Sequence, residues 1–435
     1  MRKVIRETYS VCPLCGRRLA ARVVVRDGAT WLEKSCPEHG DFSVLIWKNQ
    51  KSIFSWYGDA EPLTKDDASG CPAACAEGGL CAEHLNDTCC VVLEVTERCN
   101  LHCRYCFADK KNGPDIPLAE LRREMAGFVV PGKTLVQLSG GEPTLRGDLP
   151  ELVAAAKELG CKYVQLNSNG IRLAEDEGLV KKLAAAGLSF VFMQFDGTDD
   201  EIYKALRGAP LFAVKERAIA NCAKYNLGVT LVPTIVPGVN SAAIGDILRY
   251  GVKRSPAVRG VHFQPVAHLG RVPCLPRDES RFTLDELMYE IENQSGGLVG
   301  GENLQPSKCD HPLCGFHGDF IVKQDGTLYP LTRKRDDAAC CCCGADTPAD
   351  KNREFVGRRW RRPASGGGPQ TEDMEDMDYF LARLFSHGFT ITSMAFQDAG
   401  NLDVERLRMC SLHVAKRGRL VPFCVNYLTL WNGLS

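Results

Sequence analysis

The chain has 435 residues, 53 basic and 54 acidic side chains, a formal charge of −1 and 44% hydrophobic residues. That balance offers no basic field to nucleic acid or to an anionic membrane, and no apolar run nears the ~20 residues of a membrane span. The start, MRKVIRETYSVCPLC, does not read as a signal peptide, so a cytoplasmic protein is expected, and 22 cysteines in a reducing compartment point to metals and not to disulfides.

In chain order, Cys12 and Cys15 lie in C-P-L-C-G, and Cys36 and His39 in C-P-E-H-G. Between them, Ala21 to Lys34 carries two β-prone stretches around Asp27-Gly28, a hairpin turn signal. Two hooks at the ends of a hairpin can hold one zinc or iron tetrahedrally. His39 is the weakest ligand, because a histidine after C-P-E can instead cap the turn. This metal-binding unit is assigned to residues 1–48, and 48 to 70 read as a polar connection. Cys71, Cys75, Cys81, His84, Cys89 and Cys90 follow, closing a segment 49–90. So many thiolates with little secondary structure suggest an iron–sulfur cluster, with a zinc site as the alternative. Cys89 is the better fourth ligand, since Cys90 already points along the next strand.

Residues 91–270 alternate strands and helices, the pattern of a parallel α/β sheet. Strands are expected at Val91–Val95, Thr134–Leu138, Tyr163–Asn167, Ser189–Phe195, Gly228–Ile235 and Val261–Val266. Asp148 with Glu151 reads as a capping box. Six such units predict a partial (β/α)6, TIM-like barrel, whose ligands bind at the carboxyl ends of the strands. There the first strand runs into Cys99-Asn100-Leu101-His102-Cys103-Arg104-Tyr105-Cys106-Phe107. Three cysteines spaced C-x3-C-x2-C can ligate three irons of a cubane and leave the fourth open to a small molecule, while Phe107 screens water. A zinc knuckle would need paired hooks and four closed ligands, which this triplet lacks. The second strand ends in Ser139-Gly140-Gly141-Glu142-Pro143-Thr144, whose glycines let backbone approach a ligand and whose Glu142 or carbonyls can accept from an ammonium group. Asn167-Ser168-Asn169-Gly170 and Gln194-Phe195-Asp196-Gly197 end the third and fourth strands, with short polar side chains for ribose hydroxyls, a carboxylate or substrate. Phe195 and Phe263 are expected in the core.

Residues 271–435 form a C-terminal extension. Thr283 and Glu286 open a helix by a capping box, and Asp325-Gly326 turns a hairpin of Phe320–Val322 and Thr327–Tyr329. Cys309, Cys314, Cys410 and Cys424 around that hairpin can enclose a further cluster. A mobile insertion is placed near 333–378, with Arg361–Met377 linker-like. Within it, Cys340–Cys343 reads either as a redox-active dithiol or soft-metal hook, or as an insertion of no catalytic weight.

The cysteine spacing with its following Phe107, and the GGEPT turn 34 residues beyond Cys106, resemble the signature of the radical S-adenosylmethionine (radical SAM) enzymes. In that family the amino and carboxylate groups of S-adenosylmethionine chelate the open iron, and a 5′-deoxyadenosyl radical abstracts hydrogen from substrate. The string LSGGEPT, QLNSNGIRL, QFDGT, LVPTIVPGVN and RGVHFQPVAHLGR, with CPLC, CPEHG and the terminal Asn401–Cys424 segment, is similar to the branch holding tetraether synthase and the methanogen pterin methylase. This resemblance covers nearly the whole chain except about 333 to 390. It implies three [4Fe–4S] clusters and one zinc or iron ion. Cys99, Cys103 and Cys106 would bind the radical-generating cluster, Cys71, Cys75, Cys81 and Cys89 one auxiliary cluster, and Cys309, Cys314, Cys410 and Cys424 the other. Phe107, Gly140, Gly141, Glu142, Pro143, Asn167, Ser168, Asn169, Gln194 and Asp196 would meet S-adenosylmethionine.

It further implies a low-potential electron donor and a small-molecule or lipid substrate that is methylated or joined through carbon, although the branch's own substrates are not carried over. Peptide modification is the alternative, because auxiliary clusters after the barrel also occur in peptide-modifying relatives. A non-catalytic electron carrier or metal-handling protein is the rival of another class. Three departures from the branch stand out: the long Cys75–Cys81 spacing, Val414 after His413 where an aromatic would build the substrate wall, and Cys340–Cys343, which has no counterpart and points to a separate subgroup such as TrsS.

Overall fold

The computed structural model describes residues 2–57, 70–109, 113–332, 346–363 and 376–432. Cys340–Cys343 and most of the linker-like stretch lie outside the described residues. Strands β1 (Lys3–Val11), β2 (Arg18–Arg26), β3 (Ala29–Cys36) and β4 (Gly40–Trp47) make a four-stranded antiparallel sheet in that order. Asp27 and Gly28 both adopt positive φ, as a tight two-residue hairpin requires. Alternation along β2 and β3 buries Ala21, Val23 and Leu32 on one face. This ribbon is tied to the C-terminal segment through charge: Arg6 on β1 donates to Asp403 and Glu405. Lys34 on β3 donates to the carbonyls of Ala399 and Gly400 at 2.9 and 2.8 Å.

Among the described residues the second sheet has thirteen strands. They are β5 (Cys90–Thr96), β6 (Leu135–Gly140), β7 (Tyr163–Ser168), β8 (Phe190–Gln194), β9 (Gly228–Val232), β10 (Thr234–Ile235), β11 (Val258–Pro265), β12 (Gln305–Pro306), β13 (Phe316–Val322), β14 (Leu328–Pro330), β15 (Gly388–Ser393), β16 (Leu412–Lys416) and β17 (Arg419–Pro422). The six strands expected from residues 91–270 lie side by side and parallel as β5, β6, β7, β8, β9 and β11. Each reads as a near-continuous apolar run because helices cover the outer face and side chains fill the inner one.

The six-unit expectation is extended at both edges. β15 pairs parallel with β11, and β16 pairs parallel with β5, so residues assigned to a C-terminal extension complete a parallel set of eight within the same sheet. Among the described residues no ladder joins the β13/β15 end to the β16/β17 end, and the barrel stays open. The helix Leu149–Glu158 starts after Asp148, yet Asp148 does not form the expected capping box. Its carboxylate instead receives Arg146 through two bonds of 2.9 and 2.7 Å. Thr283 and Glu286 do form theirs. Phe195 and Phe263 are fully buried, as expected.

The stretch placed in a mobile insertion holds the helix Pro348–Trp360, opened by a Thr347/Asp350 capping box. It lies across the amino ends of the barrel strands. Arg353 donates to the carbonyl of Cys89 at 3.0 Å, Arg259 on β11 donates to the carbonyl of Arg359 at 2.8 Å, and the Trp360 indole donates to Thr390 Oγ1 at 2.9 Å. Trp360 packs on Phe190 and Phe192 with ring centroids 5.6 and 5.2 Å apart. The helix therefore plugs the barrel floor. Trp360→Ala removes a buried aromatic and its indole bond, and should cost about 3–5 kcal/mol in denaturant unfolding; Trp360→Phe should cost clearly less.

Candidate active site

At the carboxyl ends of β5 and β6 two loops lock together. The Gly141 and Glu142 amides donate to the carbonyls of Thr96 and Arg98, each at 2.8 Å. A Cβ on Gly141 would sit 2.1 Å from the Arg98 carbonyl oxygen, so only glycine fits here. Both Glu142 oxygens are spent inside the protein. One receives Thr144 and Ser168 at 2.5 and 2.8 Å, and the other receives the Asn169 amide at 2.7 Å. Glu142 is thus a clamp between the β6 and β7 turns, which leaves backbone carbonyls of the turn as acceptors for an ammonium group.

The cysteine loop, residues 97–109, is held from its other side by Arg271. Its backbone N–H donates to the Cys106 carbonyl at 2.9 Å, and its guanidinium reaches the Cys103 carbonyl, His102 and Asp109 at 2.8–2.9 Å. Gly270 beside it has φ of +61°, and a Cβ there would lie 2.1 Å from the Phe107 carbonyl oxygen. Phe107 packs between Phe423 and Tyr427 at 5.2 and 4.9 Å. Cys99, Cys103 and Cys106 are half-buried and line one cavity. Burial pushes the Cys99 thiol up to about 11, with Glu142 and the other two cysteines adding to it. The Asp109 amide donates to the Cys106 carbonyl at 3.3 Å and closes a turn behind the third cysteine. Three soft donors on one loop, all opening onto one cavity, fit an iron–sulfur cluster with an open iron.

The cavity, of about 270 Å³, is lined by residues from all eight parallel strands, so the sheet curls around it. Of the residues expected to meet a cofactor, Phe107, Gly140, Gly141, Glu142, Asn167, Ser168, Asn169 and Gln194 line it. Pro143 and Asp196 do not. Pro143 is buried under its own turn, and Asp196 is fully buried against Arg207, which donates at 2.8 and 2.7 Å. Several of the lining groups are already engaged. Ser168 bonds Glu142, Asn169 bonds Asn100 at 2.7 Å, and Gln194 accepts from Lys215 at 2.8 Å. They knit the rim, as does the Asn167 side-chain amide, which reaches Ser139 at 3.2 Å.

Deeper in the cavity stand Gln137 bonded to Gln165 at 2.8 Å, His262 bonded to Thr392 at 2.9 Å, Gln264, and a wall of Phe192, Phe355 and Trp360. Burial pushes His262 down to about 3, so its ring is neutral at neutral pH. Arg207, Lys215, His262, Arg271 and Trp360 were not singled out from sequence. Arg207 was findable, because it falls on the buried face of its helix with Tyr203 and Leu206. The departure at His413–Val414 does not reach the substrate wall. Val414 packs behind the cavity with Val92 and Phe423, and His413 is buried against Thr88 and His84.

At the amino terminus the ligand atoms of Cys12, Cys15, Cys36 and His39 all lie within 4.8 Å of one another. His39 Nδ1 is 3.6 Å from the Cys12 sulfur and 3.5 Å from that of Cys36, and the Cys15 and Cys36 sulfurs are 4.0 Å apart. Bonds of ~2.3 Å to a tetrahedral zinc give edges of about 3.8 Å. The set fits one ion, and His39 is a ligand candidate, not a turn cap.

The remaining cysteines group differently from expectation. Cys71 and Cys75 sulfurs are 3.5 Å apart, with Cys81 next to Cys75. Cys89, expected to be their fourth partner, is hydrogen-bonded to Cys309 and receives the Asn352 amide at 3.2 Å. Chain proximity favoured Cys71 to Cys81, but entry into β5 carries Cys89 across to the 309 loop. Cys424 shares an apolar cluster with Cys71 and Cys75 while also facing Cys314. Cys89→Ser and Cys309→Ser should therefore lose the same portion of bound iron after anaerobic reconstitution, and the double variant no more than either alone. Gly141→Ala should abolish iron at the cysteine loop while the amino-terminal ion stays, measured by iron and zinc counts.

Residues 93–251 match the Radical SAM superfamily, and residues 4–48 match the HMPTM N-terminal zinc ribbon domain. A 7,8-dihydro-6-hydroxymethylpterin dimethyltransferase of Methanocaldococcus jannaschii is 32% identical over 483 positions, spanning 98% of this chain and 94% of that protein. The Fe-coproporphyrin III synthase of Methanosarcina barkeri is 38% identical over 219 residues, 48% of this chain and 50% of that protein. Among solved structures, Streptococcus suis SuiB bound to precursor peptide SuiA aligns over 42% of this chain and 40% of that chain, at 18% identity and a TM-score of 0.36. No helix among the described residues is long and apolar enough to cross a membrane. A relative similar from end to end leaves no room for the non-catalytic carrier: the chain belongs to the radical SAM superfamily and is an enzyme of it.

Proposed function

We propose that the protein uses S-adenosylmethionine and a [4Fe–4S] cluster on Cys99, Cys103 and Cys106 to abstract hydrogen from an unactivated carbon, and that methylation or carbon–carbon joining follows. Bound there, the cluster supplies the single electron that cleaves S-adenosylmethionine and so gives a hydrogen-abstracting radical. One observation carries the reading: the three cysteines and a polar, aromatic-walled interior open onto the same cavity. The GGEPT turn offers its carbonyls to the methionine amino group, and Asn167 offers its side chain to a ribose or carboxylate. The floor helix, with Trp360 and Phe355, closes the barrel's far end and keeps water from a reactive species.

Within the superfamily, we place the chain in the branch of the pterin methyltransferase, a relative that spans nearly its whole length. A flat nitrogen heterocycle suits the cavity chemistry. Phe192 and Trp360 offer ring faces, while the Gln137–Gln165 pair, Gln264 and neutral His262 offer donors and acceptors to a lactam edge. Eight further cysteines are disposed for two auxiliary clusters, and Cys89 lines the substrate cavity itself. That placement suits an electron relay or a substrate anchor. Peptide modification is the second reading, supported by Cys309, Cys314, Cys410 and Cys424, which follow the six central strands, as auxiliary cysteines also do in peptide-modifying relatives.

The test is anaerobic incubation of the reconstituted enzyme with a strong reductant, S-adenosylmethionine and 7,8-dihydro-6-hydroxymethylpterin, followed by mass spectrometry. The proposal expects 5′-deoxyadenosine and methionine from one S-adenosylmethionine, and a pterin heavier by one or two methyl groups taken from further S-adenosylmethionine, the reductant supplying the electrons. 5′-Deoxyadenosine with an unchanged pterin, but a modified peptide from a peptide library, would move the assignment to the second reading. No S-adenosylmethionine cleavage with an intact cluster would overturn both.

A further inference from the structure

Arg207 closes the helix Asp200–Arg207 and is 7% exposed, a guanidinium sunk beside the cysteine loop. Its Nε and Nη2 donate to the two oxygens of fully buried Asp196 at 2.8 and 2.7 Å, and Nη2 also reaches Thr234 Oγ1 at 3.1 Å. The guanidinium and Cys103 line the same cavity, with the positive charge facing the Cys103 sulfur. The helix end is docked to the loop by its backbone, because the Arg104 amide donates to the Leu206 carbonyl at 3.0 Å. Tyr105 adds packing against Leu206, Val236 and Val266. Asp196 is itself fixed by the Thr234 amide at 3.1 Å and by Gln194. Burial opposes the charge on Arg207, and the Asp196 carboxylate more than offsets it, so the guanidinium stays cationic.

We infer that Arg207, held on Asp196, is a positioning residue whose buried charge beside the cysteine loop raises the reduction potential of the cluster on Cys99, Cys103 and Cys106. A reduced cluster carries one more negative charge than an oxidised one. A buried cation beside the cluster therefore favours reduction, and the effect is strong where water is scarce. Asp196 orients the fork and, being anionic, damps its field. The pair sets how low a potential the electron donor must supply. Nothing in GGEPT or the cysteine spacing encodes this pair, which comes from the turn after β8 and the helix that follows.

The inference rests on the radical SAM reading of the three cysteines, and its test reads potentials, not turnover. Reconstituted wild type, Arg207→Gln, Arg207→Lys and Asp196→Asn are titrated anaerobically, following the paramagnetic signal that changes on adding S-adenosylmethionine. Arg207→Gln should lower the midpoint, Arg207→Lys should lower it less because the charge remains without the planar fork, and Asp196→Asn should raise it. If Arg207→Gln does not load iron, the Asp196→Asn shift decides alone. Midpoints equal to wild type in Arg207→Gln and Asp196→Asn would overturn the inference. So would an unchanged midpoint with weaker S-adenosylmethionine binding, which would make Arg207 a ligand contact only. A wild type with no signal sensitive to S-adenosylmethionine would take down the cluster reading together with the inference.

Discussion

The structure depends on one backbone-to-backbone lock. Gly141 and Glu142 amides hold the Thr96 and Arg98 carbonyls, and this places the end of β6 directly under the cysteine loop. Buried amides and carbonyls must find partners, so neither loop can shift without orphaning the other. The Glu142 carboxylate then carries the constraint to the β7 turn through Thr144, Ser168 and Asn169. Arg271 and Gly270 close the loop from the opposite side. Three thiols on an otherwise irregular segment are thereby held in place before any metal binds.

A second consequence concerns what surrounds the cavity. The carboxyl ends of the strands carry the reactive side, while the amino ends are sealed by the helix Pro348–Trp360. The same helix touches Cys89 through Asn352 and Arg353, so barrel floor and candidate auxiliary site share one element. The amino-terminal ribbon stands apart from the cavity. Its ties to Asp403, Glu405, Ala399 and Gly400 instead order the segment that leads to Cys410 and Cys424. A buried ion cluster of this kind is weak evidence for stability, but an unpaired member would be costly, so it fixes which surfaces meet.

Much of this was legible in the residues. Six inner strands announced themselves by apolar runs broken at Gly160 and Gly187, and the Asp27-Gly28 hairpin by its turn residues. The CPLC and CPEHG hooks were legible because metal geometry dictates local spacing. What stayed hidden depends on contacts distant in sequence. β15 and β16 are short strands whose parallel partners lie 130 and more than 300 residues away, so no local pattern marks them as barrel strands. The floor helix reads as a charged insertion because Arg353 and Arg359 are buried by bonds to carbonyls and to Asp319, although Thr347-Pro348 with Asp350 is a helix start in plain view. Glu142 shows the converse. Its position was legible, but its role changed once Ser168 and Asn169 were seen to saturate it.

The central claim is that Cys99, Cys103 and Cys106 hold a cluster whose open iron faces the barrel cavity and meets S-adenosylmethionine there. Electron–nuclear double resonance on the reduced, reconstituted protein with S-adenosylmethionine carrying nitrogen-15 in its amino group tests this directly. A nitrogen coupling to the cluster, lost in Cys103→Ala, is the predicted result. A reduced cluster that shows no such coupling at saturating S-adenosylmethionine would contradict the account.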